Sequence, residues 1–309
     1  MEQNLSDFGI RPISVVAQET IDYIKGRREH NITSLRTRWK KFNSQCMGGI
    51  EPNTVYTITG ISGTGKSSFA NLIETDLIDL NQNEDIIILS FSLEMVGFRQ
   101  IGRTLSNKLE KATSELYSSE KDLDDQTFAR VVTVANQLKK YPIYFVDNPG
   151  TSKQVEEIIM WFYNKYVKGT NKHFVIMYDH ALLTKREGSV LETISNLLQV
   201  FIQVKKLPYT SVILLTQMNR NIESPERINN PSAHYPMRSD LSSSDAIFQG
   251  SDYVLALHRP ELLGIQEYGP SKLPTQNKVY MHILKNRDAG KPCILGFENQ
   301  LMYNNLVES

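Results

Sequence analysis

The segment GISGTGKS, residues 60–67, has the residue types and spacing of a phosphate-binding loop. Its glycines let the backbone wrap closely around phosphate oxygens, and the N-terminus of a following helix offers unpaired N–H groups to the same anions. Lys66 is expected to reach the β- and γ-phosphates and Ser67 to bind Mg²⁺. The predicted nucleotide-binding residues are Gly60, Ser62, Gly63, Thr64, Gly65, Lys66, Ser67 and Ser68. The motif therefore predicts a nucleoside triphosphate site, with ATP and Mg²⁺ as its ligands.

A carboxylate at the end of another buried strand is needed on the metal side of such a site. The run HFVIMYDH offers Asp179, and the run YPIYFVD offers Asp147. We favour Asp179 because its strand is more continuous and lies one helix-length segment before a strand that ends in Gln217. Asp147 is the alternative, although it also suits the first position of an Asp-Asn-Pro-Gly turn.

Two further polar residues follow predicted strands. Glu94 comes after DIIILSFSL, and a carboxylate at the carboxyl end of a parallel strand faces the ligand crevice, where it could activate water. Gln217 ends TSVILLTQ and is suited to hydrogen bonding with a γ-phosphate. The residues alone also allow plainer interpretations, a solvated turn acid for Glu94 and a surface amide for Gln217.

Apolar runs of strand length, separated by helix-length segments, position these residues. The runs are TVYTITG, DIIILSFS, YPIYFVD, HFVIMYD, TSVILLTQ, DYVLALH and KVYMHILKN. They are rich in β-branched and aromatic residues and apolar on both faces, which is typical of a buried, mostly parallel sheet. The predicted fold class is α/β, with helices flanking a twisted sheet.

The N-terminal segment has a different character. The stretch VVAQETIDYI places Val15, Val16, Ile21 and Ile24 at spacings that suit one narrow apolar face of a helix. A short helix cannot bury such a face by itself, so the helix either packs on its own domain or docks on a neighbouring subunit. We assign residues 1–33 to an arm and residues 34–309 to the main domain.

Composition limits the functional classes. The chain has 309 residues, with 34 Lys+Arg and 34 Asp+Glu, so no global positive field can hold nucleic acid and any such contact must be local. Two cysteines are too few for a disulfide framework. No apolar run approaches the roughly 18 residues of a membrane-spanning helix. We expect a cytoplasmic protein without membrane contact.

Several segments together resemble one family, the hexameric ring helicases of the bacterial replicative DnaB type within the RecA-like ATPases. The resemblance covers about residues 10–309 and rests on ITSLRTRWKKFNSQCMGGIEPNTVYTITGISGTGKSS, ILSFSLEM, VIMYDH, LLTQMNR, SDLSSSDAIFQGSDYVLALHRPE and KNRDAGKPCILGFENQLMYNN. It implies a RecA-like P-loop NTPase fold with an N-terminal linker helix that packs on the adjacent subunit.

The resemblance also implies catalytic roles. Lys66 would contact the nucleotide, Glu94 would activate water, and Gln217 would sense the γ-phosphate. Lys285 and Arg287, from the sequence KNRD, would reach the γ-phosphate of the neighbouring subunit. An arginine supplied in this way stabilises transition-state charge. A solvated basic turn is the plainer interpretation of the same two residues.

The segment 219–245 is the predicted DNA-binding loop. It is rich in Asn, Ser and Pro and longer than ordinary connections, which is typical of functional or disordered segments. Where the bacterial pattern has an Arg-Glu-Ser-Gly run, this chain has Ser242-Ser243-Ser244-Asp245, so a cation is missing. Arg227 is a further nearby cation. The predicted DNA-binding residues are Lys185, Arg186, Arg220, Arg238, Ser242, Ser243 and Ser244.

The sequence thus predicts an ATP-dependent DNA helicase, a ring-forming motor that translocates on single-stranded DNA and unwinds duplex during replication. The resemblance implies a hexamer, 5′–3′ polarity and a primase or loader as partner. Because few residues precede the linker helix, we expect the partner functions of the family's N-terminal helical domain to be absent or supplied by another chain. The location would be the cytoplasm of a bacterium, or of the host for a phage-encoded chain. The alternative is a RecA-like or helicase-derived ATPase that acts in recombination, assembly or loading without unwinding.

Overall fold

A nine-stranded sheet forms the centre of the computed structural model, which describes residues 9–242, 244–288 and 290–309. Two short strands pair separately. The strands are β1 (Val55–Thr59), β2 (Ile86–Ser92), β3 (Ile143–Val146), β4 (His173–Asp179), β5 (Thr210–Leu215), β6 (Tyr253–His258), β7 (Glu267–Tyr268), β8 (Leu273–Pro274), β9 (Lys278–Asn286), β10 (Cys293–Gln300) and β11 (Asn305–Glu308).

The strand order of the large sheet is β11-β10-β9-β6-β1-β5-β4-β2-β3. The six strands from β6 to β3 are parallel, whereas β9, β10 and β11 continue the sheet in antiparallel fashion. The carboxyl ends of β1, β5, β4 and β2 therefore meet at one edge of the sheet, where ligands of open parallel sheets bind.

All seven predicted strands are present. Every residue of β1, β2, β5 and β6 is buried, which explains why these strands are apolar on both faces. KVYMHILKN runs antiparallel to β6, and a register shift lies between Val254 and Leu255. Strands β7, β8, β10 and β11 were not predicted, since they are short or carry polar residues.

Helices cover both faces of the sheet. They are α1 (Ile13–Arg28), α2 (Lys40–Gln45), α3 (Lys66–Asp79), α4 (Gly97–Leu109), α5 (Thr113–Leu116), α6 (Asp125–Leu138), α7 (Ser152–Tyr166), α8 (Val190–Val204), α9 (Pro225–Ile228) and α10 (Ser244–Gly250). Side chains of α2 and α3 pack with one face of the sheet, and side chains of α7, α8 and α10 pack with the other. Each face has its own apolar core.

Two helix starts on the second face are encoded locally. Thr151 caps α7 and Gln154 bonds back to it, while Ser189 caps α8 and Glu192 bonds back to it. Each pair satisfies two backbone N–H groups at a helix start. These reciprocal caps determine where α7 begins after β3 and where α8 begins after β4.

Helix α1 has no buried residue. Ile13, Ile21 and Ile24 are 86%, 57% and 60% exposed. Val15 lies nine residues before Ile24, which is half a turn away at 100° per residue, so the prediction of one shared narrow face was wrong for Val15. The helix buries no residue on its own domain and contacts it near its C-terminal end through Arg27, and residues 1–8 of the predicted arm lie outside the described residues.

The segment 219–245 is ordered where the structure describes it. It contains α9 and three 3₁₀ turns, and Arg227 links them by bonding to Asp240 and to the carbonyl oxygens of Ala233 and Tyr235. His234 accepts a hydrogen bond from the Gly269 amide. The segment is therefore packed on the domain. None of the described helices is long and apolar enough to cross a membrane.

Candidate functional site

The phosphate loop lies between β1 and α3, at the carboxyl edge of the parallel strands. Gly65 adopts φ 94°, in the left-handed region that favours glycine. A Cβ atom on Gly60 would lie 2.5 Å from the carbonyl oxygen of Leu257, on the neighbouring strand β6. The loop is thus packed so closely against β6 that residue 60 has no room for a side chain.

Side chains within the loop complete its shape. The Lys66 ammonium group donates to the carbonyl oxygen of Ile61 at 2.8 Å, and the buried Thr64 hydroxyl donates to the same oxygen at 2.9 Å. The Ser68 hydroxyl donates to Asn304 Oδ1 at 3.2 Å. Burial lowers the pKa of Lys66, while Glu94 and Asp179 oppose that shift. Ser62 and Gly63 are exposed at the mouth of the loop.

Asp179 and Ser67 meet beside this loop. Burial raises the pKa of Asp179 to about 6, and a hydrogen bond from the Ser67 hydroxyl opposes the rise. Asp147, the alternative acid, is exposed and follows β3 at the far edge of the sheet, near the start of α4. The strand order therefore brings Asp179, and not Asp147, to the phosphate loop.

Glu94 and Gln217 line the same cleft. The cleft has a volume of about 330 Å³, and its walls include Lys66, Ser67, Glu94 and Gln217. The Glu94 side chain is 52% exposed, and its Oε2 lies 3.8 Å from His180 Nε2. The structure thus gathers eight of the predicted nucleotide-site residues around one opening, namely Ser62, Gly63, Gly65, Lys66, Ser67, Ser68, Glu94 and Gln217.

Three residues of the site were missed from the sequence. Arg103, on α4, lines the cleft and faces Asp179 and Glu94, which oppose the lowering of its pKa by burial. His180 follows Asp179 directly, and burial lowers its pKa. Asn304 lies in the segment between β10 and β11, and its Oδ1 accepts a hydrogen bond from the Ser68 hydroxyl. The position of Arg103 nine residues after Glu94, on the helix that follows, is the sequence signal that could have identified it.

A second cleft of about 520 Å³ adjoins the first, and Arg103, Leu301 and Asn304 line both. Its other walls include Arg99, Met302 and Thr113. A Cβ atom on Gly65 would lie 2.9 Å from the Leu301 side chain, so Leu301 packs directly on the phosphate loop. The two clefts therefore share three walls and lie side by side next to the phosphate loop.

Lys285 and Arg287 do not line this nucleotide cleft of their own chain. Asn286 pairs with Tyr253 at the start of β6, whereas Thr59, at the end of β1, pairs with Ala256. The Arg287 amide donates to the Asp252 carbonyl oxygen, so Arg287 is level with Asp252. Asp252 precedes Ala256, the partner of Thr59, by four residues, which is about 13 Å at roughly 3.3 Å per residue. The structure does not bring these two cations to the phosphate loop of their own chain.

The predicted DNA-binding residues divide into two groups. Lys185, Arg186 and Arg220 are exposed and form no ion pair with any residue that the structure describes. Arg238 is exposed but pairs with Asp245 at 2.6 Å. Arg227 is nearly buried against Asp240, so it is not available to DNA.

The three serines of the predicted DNA loop are described only in part. The Ser242 amide donates to the Gln217 carbonyl oxygen at 3.3 Å, and Ser242 is partly buried. Ser244 begins α10. Ser243 and the Ser244 side chain lie outside the described residues. Ser242 therefore connects the predicted DNA loop to Gln217, just beyond the end of β5.

Known proteins share this architecture. One solved ATPase domain matches with a TM-score of 0.77 and 20% identity, over 100% of both chains. A DnaB-like replicative helicase, solved to show its interactions with primase, matches with a TM-score of 0.76 and 18% identity, over 94% of this chain and 66% of that one. The predicted α/β, RecA-like fold is confirmed by these two matches.

Sequence relatives point to the same family. The replicative DNA helicase DnaB of Buchnera aphidicola subsp. Baizongia pistaciae (strain Bp) is 26% identical over 238 residues, which are 75% of this chain and 48% of the relative. That of Pasteurella multocida (strain Pm70) is 23% identical over 272 residues, 84% of this chain and 55% of the relative. The chain spans about half the length of these relatives. The family model of the DnaB-like helicase C-terminal domain matches residues 34–303. This chain belongs to the DnaB-like helicase C-terminal domain family.

Proposed function

We propose that this chain is the ATP-hydrolysing motor of a replicative DNA helicase. The observation that carries the proposal is the meeting of Ser67 and Asp179 beside the phosphate loop, next to a cleft that Ser67 lines together with Glu94 and Gln217. The relatives are named as replicative helicases, which favours this function over a recombination, assembly or loading ATPase without unwinding.

The donor atoms suit a nucleotide with Mg²⁺. A serine hydroxyl and a carboxylate are hard oxygen donors, and Mg²⁺ is typically held by one or two such groups together with substrate phosphates. Ser67 and Asp179 would hold the ion, which supplies charge neutralisation at the phosphates when it is bound. Lys66 would exchange the Ile61 carbonyl oxygen for phosphate oxygens. Backbone N–H groups of residues 60–68 would complete the phosphate cradle.

Glu94 is the proposed general base. Its carboxylate is half exposed in the cleft, where it would accept a proton from the attacking water. His180 Nδ1 accepts the Leu182 amide hydrogen, so the neutral ring carries its proton on Nε2, the nitrogen nearest Glu94. That N–H would orient the carboxylate. Gln217 would donate its amide to the γ-phosphate.

Lys285 and Arg287 are proposed to act on the next subunit. They lie at the amino end of β6, away from their own phosphate loop, so any contact with a γ-phosphate must be made in trans. A head-to-tail ring supplies that geometry, because each subunit then presents this edge to the nucleotide cleft of its neighbour. We infer a homo-oligomer of this kind, with six subunits.

Helix α1 is proposed to hold the ring together. It leaves Ile13, Ile21 and Ile24 exposed and buries no side chain on its own domain. Arg27, near its end, bonds to Ser34 and Glu51, which fixes where the helix leaves the domain. Residues 1–33 would thus dock on a second copy of the chain, whereas residues 34–309 form the motor domain.

Single-stranded DNA is the proposed substrate on which the protein translocates. Lys185, Arg186 and Arg220 follow β4 and β5 and are exposed, so they could contact phosphates. Arg238, Ser242, Ser243 and Ser244 are proposed to contact the same strand. One such loop per subunit lines a ring channel, so modest contacts add together without a basic overall composition. We propose 5′–3′ movement, a primase or loader as partner, and a bacterial or phage-infected cytoplasm as the location.

The proposal is tested by measuring ATP hydrolysis with Mg²⁺ in the presence and absence of single-stranded DNA, together with strand separation of a forked duplex. We expect DNA to stimulate hydrolysis and ATP to drive unwinding. Hydrolysis that DNA does not stimulate would exclude the helicase function and leave an ATPase of the assembly or loading class.

A further inference from the structure

Asp252 lies where the proposed trans-acting cations join the sheet. It is 4% exposed and immediately precedes β6. Its Oδ1 lies 2.8 Å from Arg287 Nη1, and its carbonyl oxygen accepts the Arg287 amide at 3.1 Å. Arg287 is therefore held by Asp252 through both its backbone and its guanidinium group.

Asp252 is itself fixed from two other directions. Its Oδ2 accepts the Val55 amide at 2.8 Å, and its own amide donates to the Val55 carbonyl oxygen at 2.8 Å. The Lys205 ammonium group, at the end of α8, lies 2.6 Å from the same Oδ2. The carboxylate is thus anchored to the first residue of β1, the strand that leads into the phosphate loop.

The guanidinium group keeps free donors. Its Nη1 faces Asp252, the guanidinium group carries five N–H donors, and the Arg287 side chain is 49% exposed. Lys285 is fixed separately, since its ammonium group donates to the Phe248 carbonyl oxygen and lies 5.2 Å from the Phe248 ring centre. The contact with Asp252 orients Arg287 and leaves its outer donors available.

We infer that Asp252 is a positioning residue that aims Arg287 at the γ-phosphate of the neighbouring subunit. This inference rests on the proposed trans role of Arg287. A reacting group displaced by about 1 Å loses on the order of a hundredfold in rate, so a correctly placed guanidinium needs a rigid support. Asp252 supplies that support because it is buried, charged and bonded to the sheet.

The Asp252→Asn variant tests the inference. It keeps an oxygen to accept the Val55 amide but removes the charge opposite Arg287. We expect kcat for ATP hydrolysis to fall by about ten- to a hundredfold while nucleotide affinity stays unchanged. Lys206→Gln is the matched control, because it removes a neighbouring positive charge that bonds to Gln203 and not to Asp252; it should keep kcat within about twofold of wild type. An equal loss of kcat in Lys206→Gln would show a non-specific charge effect and overturn the inference.

A mixing experiment locates the effect. Subunits carrying Lys66→Ala cannot use their own site but still offer Arg287 to a wild-type neighbour. Adding Asp252→Asn to those subunits should lower the turnover of the mixed oligomer further, and no further loss would contradict positioning in trans. Asp252→Glu is the second variant, to be used if Asp252→Asn does not fold. It keeps the charge but moves the carboxylate by one methylene, and we expect the same loss of kcat at an unchanged melting temperature.

Arg287→Ala distinguishes a failure of the proposed trans role of Arg287 from a failure of the positioning role of Asp252. If Arg287→Ala keeps wild-type turnover, the proposed trans role fails and the role of Asp252 falls with it. If Arg287→Ala loses turnover while a folded Asp252 variant keeps it, only the positioning inference is overturned.

Discussion

The side chains of Ser67 and Asp179 face each other beside the phosphate loop, so that the first turn of α3 meets the end of β4. Strand β5 lies between β1 and β4 in the sheet, so this contact spans the crevice that opens above β5. The two residues are 112 positions apart in sequence, the difference between 179 and 67. Their meeting defines the metal side of the proposed ATP site.

Replacing Asp179 with Asn should separate nucleotide binding from Mg²⁺-dependent turnover. Metal-ion stabilisation of transition-state charge contributes several kcal/mol, so we expect kcat to fall by at least about a hundredfold. Fluorescent-nucleotide titrations with and without Mg²⁺ should show that binding persists but no longer gains from the ion. Asp147→Asn is the matched control and should behave as wild type; a comparable loss there would transfer the metal role to Asp147.

Glu94→Gln should bind ATP and fail to cleave it. The amide cannot accept the proton of the attacking water, and loss of general-base assistance typically costs about 10²- to 10⁴-fold in rate. Single-turnover hydrolysis and nucleotide affinity measured on the same preparation check this. Glu120→Gln, at an exposed glutamate outside the cleft, is the control. Near-normal hydrolysis by Glu94→Gln would refute the proposed base.

Arg287→Ala should abolish turnover and leave nucleotide affinity intact, because the residue lies far from its own phosphate loop. An arginine supplied in trans is worth about 10³- to 10⁵-fold in rate. Mixtures of Arg287→Ala and Lys66→Ala subunits should recover activity where a wild-type Arg287 faces a wild-type Lys66. A loss of nucleotide affinity as large as that of Lys66→Ala would argue for a site in cis.

Glu74→Gln should stabilise the protein at neutral and alkaline pH. Glu74 is buried in α3, burial raises its pKa to about 7, and its Oε1 has no hydrogen-bond partner among the described residues. Between pH 4.5, the ordinary value, and pH 7 the folded state binds more protons than the unfolded state, so the free energy of unfolding falls as pH rises. The substituted amide carries no charge, so the free energy of unfolding of the variant does not fall in this way as pH rises.

The gain from Glu74→Gln should be at most on the order of 3 kcal/mol above pH 7 and vanish below pH 4.5. Urea denaturation at pH 4.5, 6 and 8 measures it. Glu110→Gln, on the exposed C-cap of α4, is the control and should show no such pH dependence. A stability difference that is the same at all three pH values would contradict a titrating Glu74.

Ile24→Lys should weaken assembly. Ile24 is 60% exposed on α1, and a charge there would have to be desolvated if the helix docks on a second copy. Gln18→Lys is the matched control, since residue 18 lies about 120° away on the helix and pairs with Asp22. Particle mass measured with ATP should fall for Ile24→Lys alone. Unchanged assembly in Ile24→Lys would count against α1 as the docking element.

The strands and the phosphate loop were predictable because their signals are local. Buried parallel strands are apolar on both faces, as in Val55–Thr59 and Thr210–Leu215, and a glycine-rich loop before a helix specifies its own backbone path. The polar strands β10 and β11 carry no such pattern, and the segment 219–245 was hard to interpret because its order depends on contacts such as Arg227 with Asp240.

The amino-acid sequence by itself determined the chemistry available to this protein: the residues of the phosphate loop, the two candidate acids and the basic pair near the C-terminus. Only the tertiary structure decided which of them meet. The sheet order brings Asp179 rather than Asp147 to Ser67, and the antiparallel register of β9 holds Arg287 on Asp252 at the opposite end of β6. Strand order and register are set by packing between residues far apart in the chain, and no local spacing encodes them.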